Sequence, residues 1–203
     1  RGIAHNLGEK NASTFTEDLH KDRKVDFIMA NPPFNLKGWR KEDELTYDYR
    51  WRGYSVPRAS NANYAWIQHM IHHLAPNGKI GLVLANGALS TQSRGEGEIR
   101  KRIIEDDLIE GIVAMPTQLF YSVTIPVTLW FISKNKKQKG KTLFIDARKM
   151  GFMVDRKHRD LSDEDIAKLA DTFTAFQNGE LEEVKSFCAV ATTEEIAKQD
   201  YIL

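Results

Sequence analysis

Asn31-Pro32-Pro33-Phe34 places a side-chain amide, two backbone carbonyls and an aromatic ring within four consecutive residues. Neither proline donates a backbone hydrogen bond, and each biases the residue before it away from helix. The loop is therefore stiff, and its polar atoms and its ring keep fixed relative positions. That arrangement suits recognition of a planar group bearing an exocyclic amine. A bare Asn-Pro-Pro also fits an ordinary strand end. The apolar run Val25 to Ala30 before it and the phenylalanine after it favour a site. The run predicts a short buried strand that must stop near Asn31.

Other elements must hold this loop in place. Tyr64, Ile67, Ile71 and Leu74 recur at helical spacing, so residues 61–74 are predicted helical, ending at Pro76-Asn77-Gly78. Strands are predicted around residues 81–84, 108–115 and 123–131, the last around Pro126, with a helix over 98–104. The basic turn 134–141 predicts a hairpin returning as a strand over 142–145. Ser162 and Asp165 form a variant N-cap signal before the stripe Ile166, Leu169, Phe173, Phe176, and Gly179 ends that helix. A short strand over 187–192 and a short helix to Lys198 follow. Near the start, Ile3 and Leu7 suit one face of a helix end. Residues 36–60 show no sustained period and carry Trp39, Tyr47, Tyr49, Trp51 and Tyr54. A segment of that length without regular structure is often functional. Arg50, Arg52 and Arg58 are candidates to meet phosphates there, with an aromatic stacking on a base.

Composition narrows the function class. The 203 residues, 41% of them apolar, suffice for one substantial core. A net charge of +1 says little by itself, but residues 134–160 hold ten Lys or Arg against three Asp. Such a local surface attracts phosphates or is merely solvated. The single Cys188 excludes an intrachain disulfide framework and reads as an apolar residue beside Phe187 and Val190. His69, His72 and His73 lack both metal-motif spacing and an acidic partner among them, so no metal is expected. No stretch suits a membrane span and no secretory signal is visible, which points to the cytoplasm.

The Asn31–Phe34 loop resembles the signature of amino-group methyltransferases that use S-adenosylmethionine, where it follows the fourth strand of a Rossmann-like sheet. The wider chain resembles the modification subunit of type I restriction-modification systems, an adenine-N6 DNA methyltransferase. The resemblance runs through Tyr64 to Leu74, Gly78 to Leu89, Gly95 to Lys101, Leu119 to Phe131 and Leu143 to Asp155. It implies an α/β, Rossmann-like S-adenosylmethionine-dependent methyltransferase fold. Residues 1–203 would be one partial catalytic domain, with 161–203 its C-terminal helical and short-strand elements. No Gly-x-Gly loop joins a strand to a helix here. The chain therefore reads as the C-terminal portion of the domain, with the cofactor-loop half missing.

The same resemblance assigns roles. Asn31 and the Pro32 carbonyl accept from the adenine amine, Pro33 stiffens the loop, and Phe34 stacks on the extruded base. Phe120 or Tyr121 flanks that base, although ordinary core aromatics fit those positions equally well. Ser13 stands where an acidic residue often meets the adenosine of the cofactor, and a plain turn residue fits there too. Residues 36–60 would face the DNA. The implied cofactor is S-adenosyl-L-methionine. The implied partners are duplex DNA, a specificity subunit, a second modification subunit and a restriction subunit. Three alternatives stay open: a protein-glutamine or RNA-base methyltransferase, a noncatalytic nucleic-acid- or protein-binding module, and a purely structural helper protein, which the intact Asn31 to Phe34 disfavours.

Overall fold

The computed structural model describes residues 2, 4–120 and 125–203. Strand β1 (Val25–Ala30) ends where the prolines begin. The chain then makes a long excursion before helix α1 (Asn63–His73) and passes directly into β2 (Leu74–Ala85). Helix α2 (Glu96–Glu105), β3 (Ile109–Ala114), β4 (Val127–Ser133) and β5 (Lys141–Asp146) follow. A small hairpin of β6 (Phe152–Met153) and β7 (Arg159–Asp160) precedes α3 (Asp163–Asn178), β8 (Cys188–Thr192) and α4 (Thr193–Ala197).

Six strands form one sheet in the order β1-β2-β4-β3-β5-β8. β1 pairs parallel with β2 and β3 parallel with β5, while β4 runs antiparallel between β2 and β3. β8 closes one end antiparallel to β5. The carboxyl ends of β1, β2, β3 and β5 therefore share one edge of the sheet, the edge where open α/β sheets place their ligands.

Both faces carry apolar side chains, as strands between helix layers require. On one face Tyr64, Ile67 and Ile71 of α1 and Ile99 and Ile103 of α2 pack on Ile80, Leu82, Ile112 and Trp130. On the other, α3 lays Leu169, Phe173 and Phe176 against Val113, Leu143 and Ile145. Gly111 permits this approach, because a Cβ there would sit 2.9 Å from the Phe173 ring. The predicted cap is a full capping box of Ser162 and Asp165, and Gly179 ends α3 at φ 77°.

Three expectations need correction. Residues 134–141 do not close a hairpin: β4 and β5 are separated by β3, which pairs with both. Local turn chemistry lost to the longer-range pairing of two β3 edges. The described residues before β1 form turns rather than a helix end, and Leu7 is exposed; Ile3 lies outside the described residues. The predicted strand over 123–131 starts only at Val127, just past Pro126, and residues 121–124 lie outside the described residues.

Candidate active site

Asn31 stands exposed at the carboxyl end of β1, Pro32 is buried beneath it, and Pro33 is exposed. The loop thus hangs from one buried ring and presents its amide outward. Phe34 is half-buried and meets Phe120 edge-on, with ring centroids 6.0 Å apart and planes at 79°. Residues 34 and 120 come from the loops after β1 and after β3, so the shared sheet edge brings them together. Tyr121 lies outside the described residues. Beside Asn31 a groove of about 420 Å³ is lined by Met29, Ala30, Gly81, Val83, Leu129 and Phe131. No atom lies within 4 Å of where a Gly81 Cβ would stand, so the groove floor is open.

Three further asparagines fix the loop, and no motif in the sequence announces them. Asn35 adopts φ 54°, a left-handed conformation that asparagine tolerates better than most residues. Its backbone N–H donates to Asn63 Oδ1 at 3.0 Å, and Asn63 Nδ2 donates back to Asn35 Oδ1 at 3.0 Å. Asn61 Nδ2 donates to the same oxygen at 3.0 Å, while Asn61 Oδ1 accepts from the Asn63 backbone N–H at 2.9 Å. Asn63 is buried at the first turn of α1. The residue following Phe34 is thereby tied to the start of a helix by a reciprocal amide pair.

Residues 36–60 fold back on themselves. The Ala62 N–H donates to the Leu36 carbonyl, and the Gly38 N–H to that of Ala59, so the ends of the excursion meet. Trp39 and Trp51 are buried with Phe15, whose ring lies 4.5 Å from Trp39 and 4.3 Å from Trp66. The segment is consequently a packed subcluster, not a free loop.

Arg50 is the clearest correction inside it. It is 4% exposed. Its Nε and one Nη2 hydrogen go to the two Asp48 oxygens, and the other Nη2 hydrogen goes to the Phe15 carbonyl. Nη1 donates to the Thr14 carbonyl and to His69 Nδ1. All five guanidinium hydrogens are engaged, leaving none for a phosphate. Arg58 donates through Nε to buried Glu96 at 2.9 Å, which joins the excursion to α2. Arg52 alone of the three is exposed.

Ser13 caps a turn, its Oγ accepting from the Phe15 and Thr16 N–H groups. That turn seats Phe15 in the aromatic cluster. The histidine run, which has no acidic residue among its own positions, receives one from a distant loop: Asp18 Oδ2 lies 2.8 Å from His73 Nε2, and His73 Nδ1 donates to the Arg23 carbonyl. Atoms of Asp18, His69 and His73 lie within 4.8 Å of one another. The Arg50 guanidinium stands against His69 in this group, and the trio works as a strut between the approach to β1 and the end of α1. Burial, with repulsion from His73 and Arg50, pushes His69 down to about 3. Burial alone would raise Asp18, but hydrogen bonds from the His20 N–H and from His73 outweigh it and hold the carboxyl below its usual range.

The strand order, with one antiparallel strand inside a parallel set and the Asn-Pro-Pro-Phe loop at its edge, defines an α/β fold of the S-adenosylmethionine-dependent methyltransferase type. The crystal structure of the type I restriction-modification system methyltransferase subunit from Streptococcus thermophilus is similar. It matches with a TM-score of 0.84 and 28% identity, covering 95% of this chain and 40% of that one. The family model described as N-6 DNA Methylase matches residues 1–203, and the chain belongs to that family. The Type I restriction enzyme HindI methylase subunit of Haemophilus influenzae is 53% identical over 204 residues, covering 100% of this chain and 46% of that protein. The MjaIX methylase subunit of Methanocaldococcus jannaschii is 46% identical over 199 residues, covering 94% of this chain and 36% of that protein. The chain thus spans less than half the length of these relatives.

Proposed function

We propose that this chain is the acceptor-recognising part of an adenine-N6 DNA methyltransferase, acting in the cytoplasm as the modification subunit of a type I restriction-modification complex. The observation that carries the reading is the exposed Asn31 amide at the sheet edge, with Phe34 beside it and braced edge-on by Phe120. Family membership supplies the DNA acceptor and the cofactor.

Adenine N6 is a poor nucleophile because its lone pair is delocalised into the purine. Asn31 Oδ1 and the Pro32 carbonyl accept its two hydrogens and draw the lone pair back onto nitrogen. Phe34 stacks on the base after it leaves the duplex, a step the chemistry requires because N6 must enter a shaped pocket. The gain comes from orientation and fixed dipoles, with no covalent protein intermediate. S-adenosylmethionine supplies the electrophilic methyl group. Among the described residues no strand leads through a Gly-x-Gly turn into a helix: Gly95-Glu96-Gly97 opens α2, with Glu96 held by Arg58. We place the glycine-rich half of the cofactor site in the length that the relatives have beyond this chain. The 203-residue chain alone is accordingly expected to transfer little methyl. A specificity subunit would read the DNA sequence, with a second modification subunit and a restriction subunit completing the assembly.

The test is labelled-methyl transfer by the full-length protein with its specificity partner, followed by nucleoside analysis. N6-methyladenine is expected, and Asn31→Ala is expected to lower turnover by about 100-fold or more while the complex still assembles. Label on protein glutamine or on RNA would overturn the reading.

A further inference from the structure

The hairpin after β5 has no part in the chemistry above, yet it stands at the same sheet edge as Asn31. β5 delivers the chain there at Asp146, parallel to β3. The Ala147 N–H donates to the Ala114 carbonyl, and the Arg159 N–H donates to that of Gln118, two residues from Phe120. Arg159 Nη1 also donates to the Met150 and Gly151 carbonyls, and the Gly151 N–H donates to Asp165 Oδ2 at 3.1 Å. The hairpin is thus anchored on both strands, close to the ring that braces Phe34.

Its tip has an unusual surface. Phe152, Met153 and Val154 are 52%, 42% and 61% exposed. Lys149, Arg156 and Lys157 stand exposed around them. Of the hairpin's two carboxylates, Asp155 turns back to accept from the Lys157 and His158 N–H groups and from the His158 ring, and Asp160, across from Phe152, accepts from the Leu161 N–H. Arg148 is paired with Asp146. Three adjacent exposed apolar side chains form a patch of the kind that marks an interaction surface. A polyanion with an opened base stack satisfies both halves of this surface, because cations meet phosphates and apolar side chains wedge at unstacked steps.

We propose that residues 148–160 form a DNA-gripping hairpin: Lys149, Arg156 and Lys157 hold phosphates flanking the extruded base, and Phe152 to Val154 face the opened stack. The proposal rests on the reading of the site as a DNA adenine methyltransferase. The test uses the full-length subunit with its specificity partner and a specific duplex, titrated by fluorescence anisotropy across a salt series. The variant Lys149→Gln/Arg156→Gln/Lys157→Gln should bind about 10-fold or more weakly at low salt. Its log Kd against log salt should be shallower by about 2–3, near one per lost phosphate contact. The charge-keeping variant Lys149→Arg/Arg156→Lys/Lys157→Arg should retain wild-type binding. Unchanged affinity and slope in the Gln variant would overturn the proposal. So would a folded Gln variant that no longer joins its specificity partner, because the hairpin would then be a subunit contact. A wild-type complex that neither binds nor methylates duplex DNA would instead remove the underlying reading, and the hairpin proposal with it.

Discussion

Asn63 shows how a residue remote in sequence sets the geometry of the loop. It bonds both the N–H and the side-chain oxygen of Asn35, the residue after Phe34. Near-attack geometry is sensitive to displacements of about 1 Å. Asn63→Ala should therefore lower turnover in the full complex by about 10- to 100-fold, with DNA affinity near wild type. Asn63→Asp keeps the acceptor for the Asn35 N–H but loses the donor, and should fall between the two; steady-state methyl transfer with separate kcat and KM reads this. The strand end before Asn31 was legible in the sequence because the prolines that follow are unmistakable. Asn63 was not, because its partner lies 28 residues earlier and only folding brings them together. His69 belongs to the same hidden class and gives a pH dependence. Folded, it is held near 3; unfolded, it titrates near 6.5. Below about pH 6.5 the unfolded chain binds a proton that the folded one refuses. The contribution to stability is fully present above that pH and is lost as pH falls, by up to about 1.4 kcal/mol per unit. Thermal unfolding of the full-length protein from pH 7.5 to 5 should show a steeper loss for wild type than for His69→Gln. Parallel curves would show that His69 does not set the slope.

Among the elements, the excursion over residues 36–60 departs furthest from its sequence reading. Its lack of periodicity was read correctly, since it contains only one short 3-10 turn, Tyr49–Trp51. Its interior was not legible, because no local pattern says that Trp39, Trp51 and Phe15 share a cluster. Charge was the misleading signal: Arg50 is a buried pin and Arg52 an exposed cation, and sequence cannot tell them apart. Arg50→Ala strands the Asp48 carboxylate, whose side chain is 9% exposed, so it should cost about 3–5 kcal/mol of stability. Arg52→Ala should leave the unfolding midpoint unchanged and, if the excursion faces DNA, flatten the salt dependence of binding by about one. Calorimetry and a salt-dependent titration on both variants separate these roles. The helices were better read, since the α1 stripe through Ile71 and the α3 cap are local signals with periods of one or two turns, although Pro76-Asn77-Gly78, expected to end α1, lies inside β2. The order of β3, β4 and β5 was not, since turn residues cannot tell a hairpin from a strand inserted two places away.

At the scale of the whole molecule, the described sheet ends in two edge strands, β8 and the more exposed β1. β8 lies antiparallel outside β5, and β1 lies parallel outside β2; neither has a further strand beyond it among the described residues. Phe27 and Met29 of β1 are 77% and 90% exposed, on a strand whose sequence reads as buried. The apolar run located the strand but not its burial: Val25–Ala30 forms β1, and its side chains lie largely exposed. An edge strand with apolar side chains and free backbone groups is a template for pairing. If the cofactor-loop half lies elsewhere in the full-length protein, this edge is where it gains most by packing. That half would cover Phe27, Met29 and the Gly81 floor and leave Asn31 at the seam between donor and acceptor sites. Amide exchange over Val25–Ala30 should then be about 10-fold slower or more in the full-length protein than in the 203-residue chain, while exchange in β3 and β4 changes little. Equal exchange over Val25–Ala30 in both would mean that the remaining sequence packs elsewhere. The cofactor site would then have to be sought on another part of the sheet edge.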